Sequence, residues 1–114
     1  MDTILDKMQI DLDGLFRTIK HPLVILDKDD NIIASNDDAE FFFGLSRNIL
    51  NKYKFTALYN QTSPLYHLIS QSREKKTPIR EYSLRLTNPI DKKEQEVDIQ
   101  VSPFEDTEYL LLMF

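Results

Sequence analysis

The spacing of apolar positions changes character along the chain, and each change marks an element. From residue 2 to about residue 19, Ile4, Leu5, Met8, Leu12, Leu15, Phe16 and Ile19 recur at helical spacing, with Asp6, Lys7, Asp11, Asp13 and Arg17 between them. Gly14 weakens this helix by about 1 kcal/mol relative to alanine. His21-Pro22 ends it, because the residue before a proline is pushed out of helical geometry. Leu23-Val24-Ile25-Leu26 then reads as a strand apolar on both faces, Asp27 to Asn31 as a turn, and Ile32 to Ser35 as the return strand of a hairpin. Asn36 is placed to cap a helix whose first turn carries Asp37, Asp38 and Glu40, where the helix dipole favours negative charge. Ala39, Phe42 and Phe43 share the inward face of that helix, and Gly44 stops it.

Ser46 to Tyr59 reads as short irregular helix and loop, anchored by Ile49, Leu50, Phe55 and Leu58. Ser63-Pro64 opens the next helix with a hydroxyl cap followed by proline at the first position. Leu65, Leu68, Ile69 and Ser72 form its inward stripe, and Lys75-Lys76 match the dipole at its end. Strands follow. Ile79 to Thr87 alternates, with Tyr82, Leu84 and Leu86 on one face; Asn88 to Glu94 is a polar hairpin loop; Glu96 to Phe104 alternates with Val97, Ile99 and Val101 inward. Leu110 to Phe114 is apolar without alternation. In an antiparallel sheet, strands apolar on both faces must be covered on both. The helices between Asn36 and Lys76 supply one cover for Leu23–Leu26 and Leu110–Phe114; the N-terminal helix, a second subunit or both supply the other.

A chain of 114 residues is one domain, long enough to bury an ordinary core. It contains no cysteine, which excludes disulfides, thiolate metal sites and cysteinyl chemistry, and suits a reducing cytoplasm. No apolar run approaches the roughly 20 residues that span a bilayer, and the acidic N-terminus does not read as a signal peptide. A net charge of -5 argues against a nucleic-acid partner. The apolar run that closes the chain at Phe114 reads as a strand, and a boundary there suggests a module cut from a longer protein.

The order helix, two strands, helices, three strands resembles the PAS fold, and Ser35-Asn36-Asp37-Asp38-Ala39-Glu40-Phe41-Phe42 followed by Gly44 resembles the PAS signature at that helix. Ser63-Pro64-Leu65, Leu68-Ile69, Gln71, Arg73, Glu81-Tyr82, Leu86, Pro89, Val97-Asp98 and Pro103 are similar to the N-terminal PAS domain of the NtrB family, the bacterial nitrogen-regulation sensor histidine kinases, from about Leu12 to Phe114. The resemblance implies an α+β fold with a five-stranded antiparallel sheet in the order 2-1-5-4-3, helices on one face and the N-terminal helix on the other. It divides the chain into a dimerisation helix (residues 1–20) and a PAS core (21–114). It implies a cytoplasmic sensory module that forms a homodimer and signals to the parent's own kinase core, with a nitrogen-signalling regulatory protein as a further partner of the parent. The phosphoacceptor helix and the ATP-binding domain of such kinases are absent from these residues.

Candidate chemistry is sparse. His67 lies where haem-binding PAS sensors place their axial ligand, but it sits beside the Leu65/Leu68/Ile69 stripe and reads as an edge residue. His21 precedes a proline and lacks the adjacent acid of a phosphoacceptor. Asp29-Asp30 and Asp37-Asp38 do not have the spacing of a calcium loop and read as turn and helix-start chemistry. Phe42, Phe43, Phe55, Leu68 and Ile69 are the possible lining of a ligand pocket, set against a reading as core. Ile4, Met8, Leu12, Leu15 and Ile19 are the expected dimer interface. No catalytic residue, cofactor or metal is expected. An alternative reading is a small-molecule or cofactor sensor of PAS type in another signalling protein.

Overall fold

The structure, a computed structural model, describes residues 14, 18–60 and 62–114. Its elements are β1 (Leu23–Leu26), β2 (Ile32–Ser35), α1 (Asp37–Phe43), α2 (Arg47–Leu50), α3 (Phe55–Leu58), α4 (Pro64–Lys75), β3 (Ile79–Thr87), β4 (Glu94–Pro103) and β5 (Leu110–Met113). The strands form one antiparallel sheet in the order β2-β1-β5-β4-β3. The two strands without alternation are neighbours at its centre, with Val24 opposite Leu112 and Ile25 opposite Leu111.

Alternation of side chains along these central strands divides them between two apolar layers. Val24, Leu26, Leu110 and Leu112 enter the large core beneath the helices. Leu23 and Ile25 face the other way, with Ile19, Ala34, Leu111 and Met113 packed around them. Gly14 and Thr18 are helical, and the Thr18 hydroxyl donates to the Gly14 carbonyl at 2.9 Å. The expected N-terminal helix and its residues Ile4, Met8, Leu12 and Leu15 otherwise lie outside the described residues.

The helices start and stop where local chemistry directs them. The Ser63 hydroxyl accepts from Leu65 N with Pro64 in the first turn of α4, and Lys76 closes it in the left-handed region. Leu65, Tyr66, Leu68, Ile69 and Ser72 are buried. Gly44 ends α1 at φ 73, a conformation that costs a side-chain-bearing residue about 1–2 kcal/mol.

Some expectations change. Tyr82 does not share the inward face with Leu84 and Leu86: it is 64% exposed. The register between β3 and β4 shifts between Glu81 and Leu84, where Ser83 takes a positive φ of 55 and its N–H donates to Asp98 Oδ1 at 2.9 Å. This bulge turns Tyr82 outward and restores Leu84 to the core side. Strand β4 begins at Glu94, earlier than the alternation suggests. Ile49 is exposed, leaving Leu50 as the anchor of α2. Phe42 is half-buried at the edge of the core, and Phe43 is the fully buried ring of α1.

Candidate functional site

Asn36 fixes where the site begins. Its Oδ1 accepts from Ala39 N at 3.0 Å, capping α1, and from Leu23 N at 2.9 Å, holding the start of β1. Its Nδ2 donates to the His21 carbonyl at 2.7 Å. A single amide therefore satisfies both the helix end and the strand entry, which is why asparagine suits this buried position better than serine or aspartate.

From that anchor α1 delivers Phe42 and Phe43 to the core. Phe43 meets Phe55 edge-on at 6.4 Å between centroids, Tyr59 at 6.2 Å and Phe114 at 5.4 Å. Phe42 stands perpendicular to Phe43 at 5.0 Å and lies against Phe114 at 5.0 Å. Phe55 continues the chain of rings to Tyr59 and Tyr66. These separations fall within the favourable range for aromatic pairs. Of the possible pocket-lining residues, Phe43, Phe55, Leu68 and Ile69 are buried together in this cluster, with Phe42 at its margin.

Two hydroxyls stand out within the cluster. Tyr59 and Tyr66 bury their phenol oxygens without a hydrogen-bond partner, as does Ser35 with its Oγ. Burial pushes both phenols well above the ordinary tyrosine range. The nearby Asp30 carboxylate adds to the effect at Tyr66, and Arg73 opposes it.

Phe114 lies where the core meets the end of the central strand. Its N–H donates to the Pro22 carbonyl at 3.0 Å, and its ring rests on Phe42 and Phe43. On the outer sheet face, the β4–β5 ladder continues past Pro103–Leu110 to a Phe104 N–H bond with the Tyr109 carbonyl. Alternation places Phe104 and Tyr109 on the same face as Leu111. Tyr82 joins that face beside Arg80, Asp98 and Gln100 around a hollow of about 350 Å³.

The other candidates fall apart from this centre. His67 is exposed on the outer side of α4, and His21 is exposed before β1. Asp29 and Asp30 belong to the β1–β2 turn, and Asp37 pairs with Arg47 at 2.5 Å. Among the described residues no three His, Asp or Glu side chains gather as a metal-binding group, and no helix is long and apolar enough to cross a membrane. Ile19 is the one member of the expected dimer stripe within the described residues; it packs on the outer sheet face.

Sequence reasoning did not single out Asn88, the buried residue that closes the far end of α1. Its Nδ2 donates to the Phe42 carbonyl at 3.0 Å, and its Oδ1 accepts from Ile90 N at 2.8 Å. The signal was the Asn88-Pro89 pair, since asparagine before proline starts a turn by capping the backbone beyond it.

An antiparallel sheet in this order, with a capped helix and aromatic core on one face, is the architecture of one α+β fold family. The chain belongs to the PAS fold family, whose model matches residues 10–114. It is 33% identical over 90 residues to the sensory histidine kinase/phosphatase NtrB of Rhizobium meliloti (strain 1021), a match covering 79% of this chain and 24% of that protein. It is 29% identical over 90 residues to the NtrB of Rhizobium leguminosarum bv. phaseoli, covering 79% of this chain and 23% of that protein. The chain thus spans about a quarter of the length of these relatives. Among solved structures, the PAS domain of nitrogen regulation protein NR(II) from Vibrio parahaemolyticus superposes with a TM-score of 0.72 at 18% identity, covering 90% of this chain and 95% of that one. A domain of a sensory box sensor histidine kinase/response regulator from Geobacter sulfurreducens gives a TM-score of 0.72 at 15% identity, covering 96% and 94%.

Proposed function

We propose that this chain is the sensory and regulatory PAS module of an NtrB-like sensor histidine kinase of nitrogen regulation. It works in the cytoplasm as a homodimer and passes its conformational state to the parent's kinase core. The observation that carries this reading is the seat of Phe114. The end of the central strand rests directly on the rings of α1, so a change in core packing reaches the parent's next segment without any chemistry in this domain. Similarity to NtrB supports the nitrogen-regulatory setting, and with it a nitrogen-signalling protein acting on the parent.

The outer sheet face supports the homodimer. Half-buried Leu111 and Met113 lie there with exposed Phe104, Tyr109 and Tyr82, apolar and aromatic side chains that a second copy would cover. The apolar stripe read from the sequence, Ile4, Met8, Leu12, Leu15 and Ile19, is the second support for the dimer; Ile19, its one member among the described residues, packs on this face.

Two measurements test the reading. Phe114→Ala in the parent kinase should change the rate of autophosphorylation from ATP at least threefold while circular dichroism of the isolated domain stays native; an unchanged rate removes the relay. Light scattering of this chain should give twice its mass, and deletion of residues 1–18 should cause aggregation or loss of the dimer. A truncated protein that stays soluble at unchanged mass removes the dimer interface.

Tyr59 and Tyr66 favour a second reading, in which the domain senses a small molecule or cofactor. Their buried hydroxyls have hydrogen bonds still to make, which a polar ligand among the core rings would supply. A visible absorption spectrum, followed by mass spectrometry of ligands extracted from purified protein, separates the two readings. A Soret band, a flavin band or a stoichiometric small molecule would establish the second.

A further inference from the structure

Arg73, in the last turn of α4, carries a guanidinium that reaches two turns from different parts of the chain. Its Nη2 donates to the Asp27 carbonyl at 2.8 Å and to Asp30 Oδ1 at 2.6 Å, both in the β1–β2 turn. Its Nη1 donates to the Glu108 carbonyl at 3.0 Å, in the β4–β5 turn. About a quarter of each side chain in the Arg73–Asp30 pair is exposed, so the pair is partly shielded from solvent.

The receptor for this fork is built in advance. The Asp27 carboxylate accepts from Asp29 N and Asn31 N, each at 2.9 Å, which sets the turn. Asp30 occupies the left-handed region at φ 64, and its carbonyl accepts from Phe55 N at 2.7 Å. The two turns share no strand pairing with each other beyond the β1–β5 ladder, yet one side chain joins them. Apolar packing of Leu65, Leu68 and Ile69 seats α4 on the sheet, and packed elements of this kind still permit small shear shifts. The planar fork adds directional bonds from the helix to both turns.

We propose that Arg73 is a latch that sets the position of α4 on the sheet. Engaged, the helix and both turns move as one body. Released, α4 shifts along the sheet with its apolar stripe still buried, a small sliding motion of the kind that packed helices support. This goes beyond the relay through Phe114: it names the moving part and the contact that restrains it.

Hydrogen–deuterium exchange of the full chain tests the latch. Arg73→Met should speed exchange tenfold or more in residues 27–31 and in residues 104–109 together, and leave residues 88–93, held by Asn88, within twofold of the unsubstituted protein. Asp30→Asn keeps both carbonyl acceptors and should speed exchange in residues 27–31 alone. The proposal is overturned if Arg73→Met affects neither turn or only one, or raises exchange by the same factor everywhere. It is also overturned if Asp30→Asn alone loosens both turns, which would place the restraint in the ion pair and not in the three-acceptor fork.

Discussion

Asn36 and Asn88 hold opposite ends of helix α1. Asn36 joins the first turn of the helix to the entry of β1, and Asn88 joins the Phe42 carbonyl to the β3–β4 loop. Both are buried. A helix of seven residues has little stability of its own, so these amides and the packing of Phe43 decide its position.

Replacing Asn36 by alanine should therefore cost more than an ordinary cap. It strands the buried Leu23 N–H and the His21 carbonyl, leaves Ala39 N–H only its 3.1 Å bond to the residue-36 carbonyl, and should destabilise by roughly 2–4 kcal/mol. Urea denaturation measures this. A loss below about 1 kcal/mol would mean that the strand entry is held by other contacts.

The run Phe41-Phe42-Phe43 should divide sharply by position. Phe43→Ala removes a fully buried ring and should cost roughly 3–5 kcal/mol. Phe41 is 94% exposed, and Phe41→Ser should change stability by less than about 0.5 kcal/mol. Phe42→Ala should fall between them. Equal losses at Phe41 and Phe43 in chemical denaturation would contradict the orientation of α1.

Asp27 should respond to acid. The Asn31 amide donates to its carboxylate at 2.9 Å, and that bond is the main cause holding its pKa below the ordinary value of 3.8. The folded pKa is thus lower than the unfolded one. The stability this group contributes is complete above the unfolded pKa and is lost as pH falls through the folded pKa. An NMR titration of Asp27 should give a midpoint below 3.8, and Asp27→Asn should weaken the acid dependence of stability; a midpoint above 3.8 would contradict the bonding.

Tyr66→Phe should be neutral or stabilising by up to about 1 kcal/mol, because it removes a buried hydroxyl that has no partner. A loss of more than about 1 kcal/mol on denaturation would mean that the hydroxyl is bonded in solution and would favour the ligand-sensing reading.

Much of this architecture was legible along the chain. Leu23–Leu26 lacks alternation because both of its faces are buried, Leu110–Phe114 because its second face is half-buried in the outer apolar layer, and the Asn36 cap, Ser63-Pro64 and Gly44 each act on backbone within a few residues. Tyr82 was misread because the bulge depends on Ser83 and Asp98, fifteen positions apart, and not on a local pattern. The fork of Arg73 and the amide of Asn88 were equally hidden. Arg73 reaches Asp27 and Asn88 reaches Phe42, each across forty-six residues, and although Asn88-Pro89 marks a turn, no neighbouring residue signals either distant partner. The aromatic cluster was legible as a set of residues, but the seat of Phe114 on Phe42 required the third dimension.

The bulge in β3 has a consequence for how molecules of this protein can meet. A regular edge strand offers a row of free backbone groups to any neighbour, but the kink at Ser83 breaks that row on one side of the sheet. On the other side, residues 53–55 lie over the start of β2, with Ile32 N bonded to the Tyr53 carbonyl and Asn31 bridged to Lys54. Neither margin offers a clean template for adding a strand, so runaway fibre-like stacking is disfavoured.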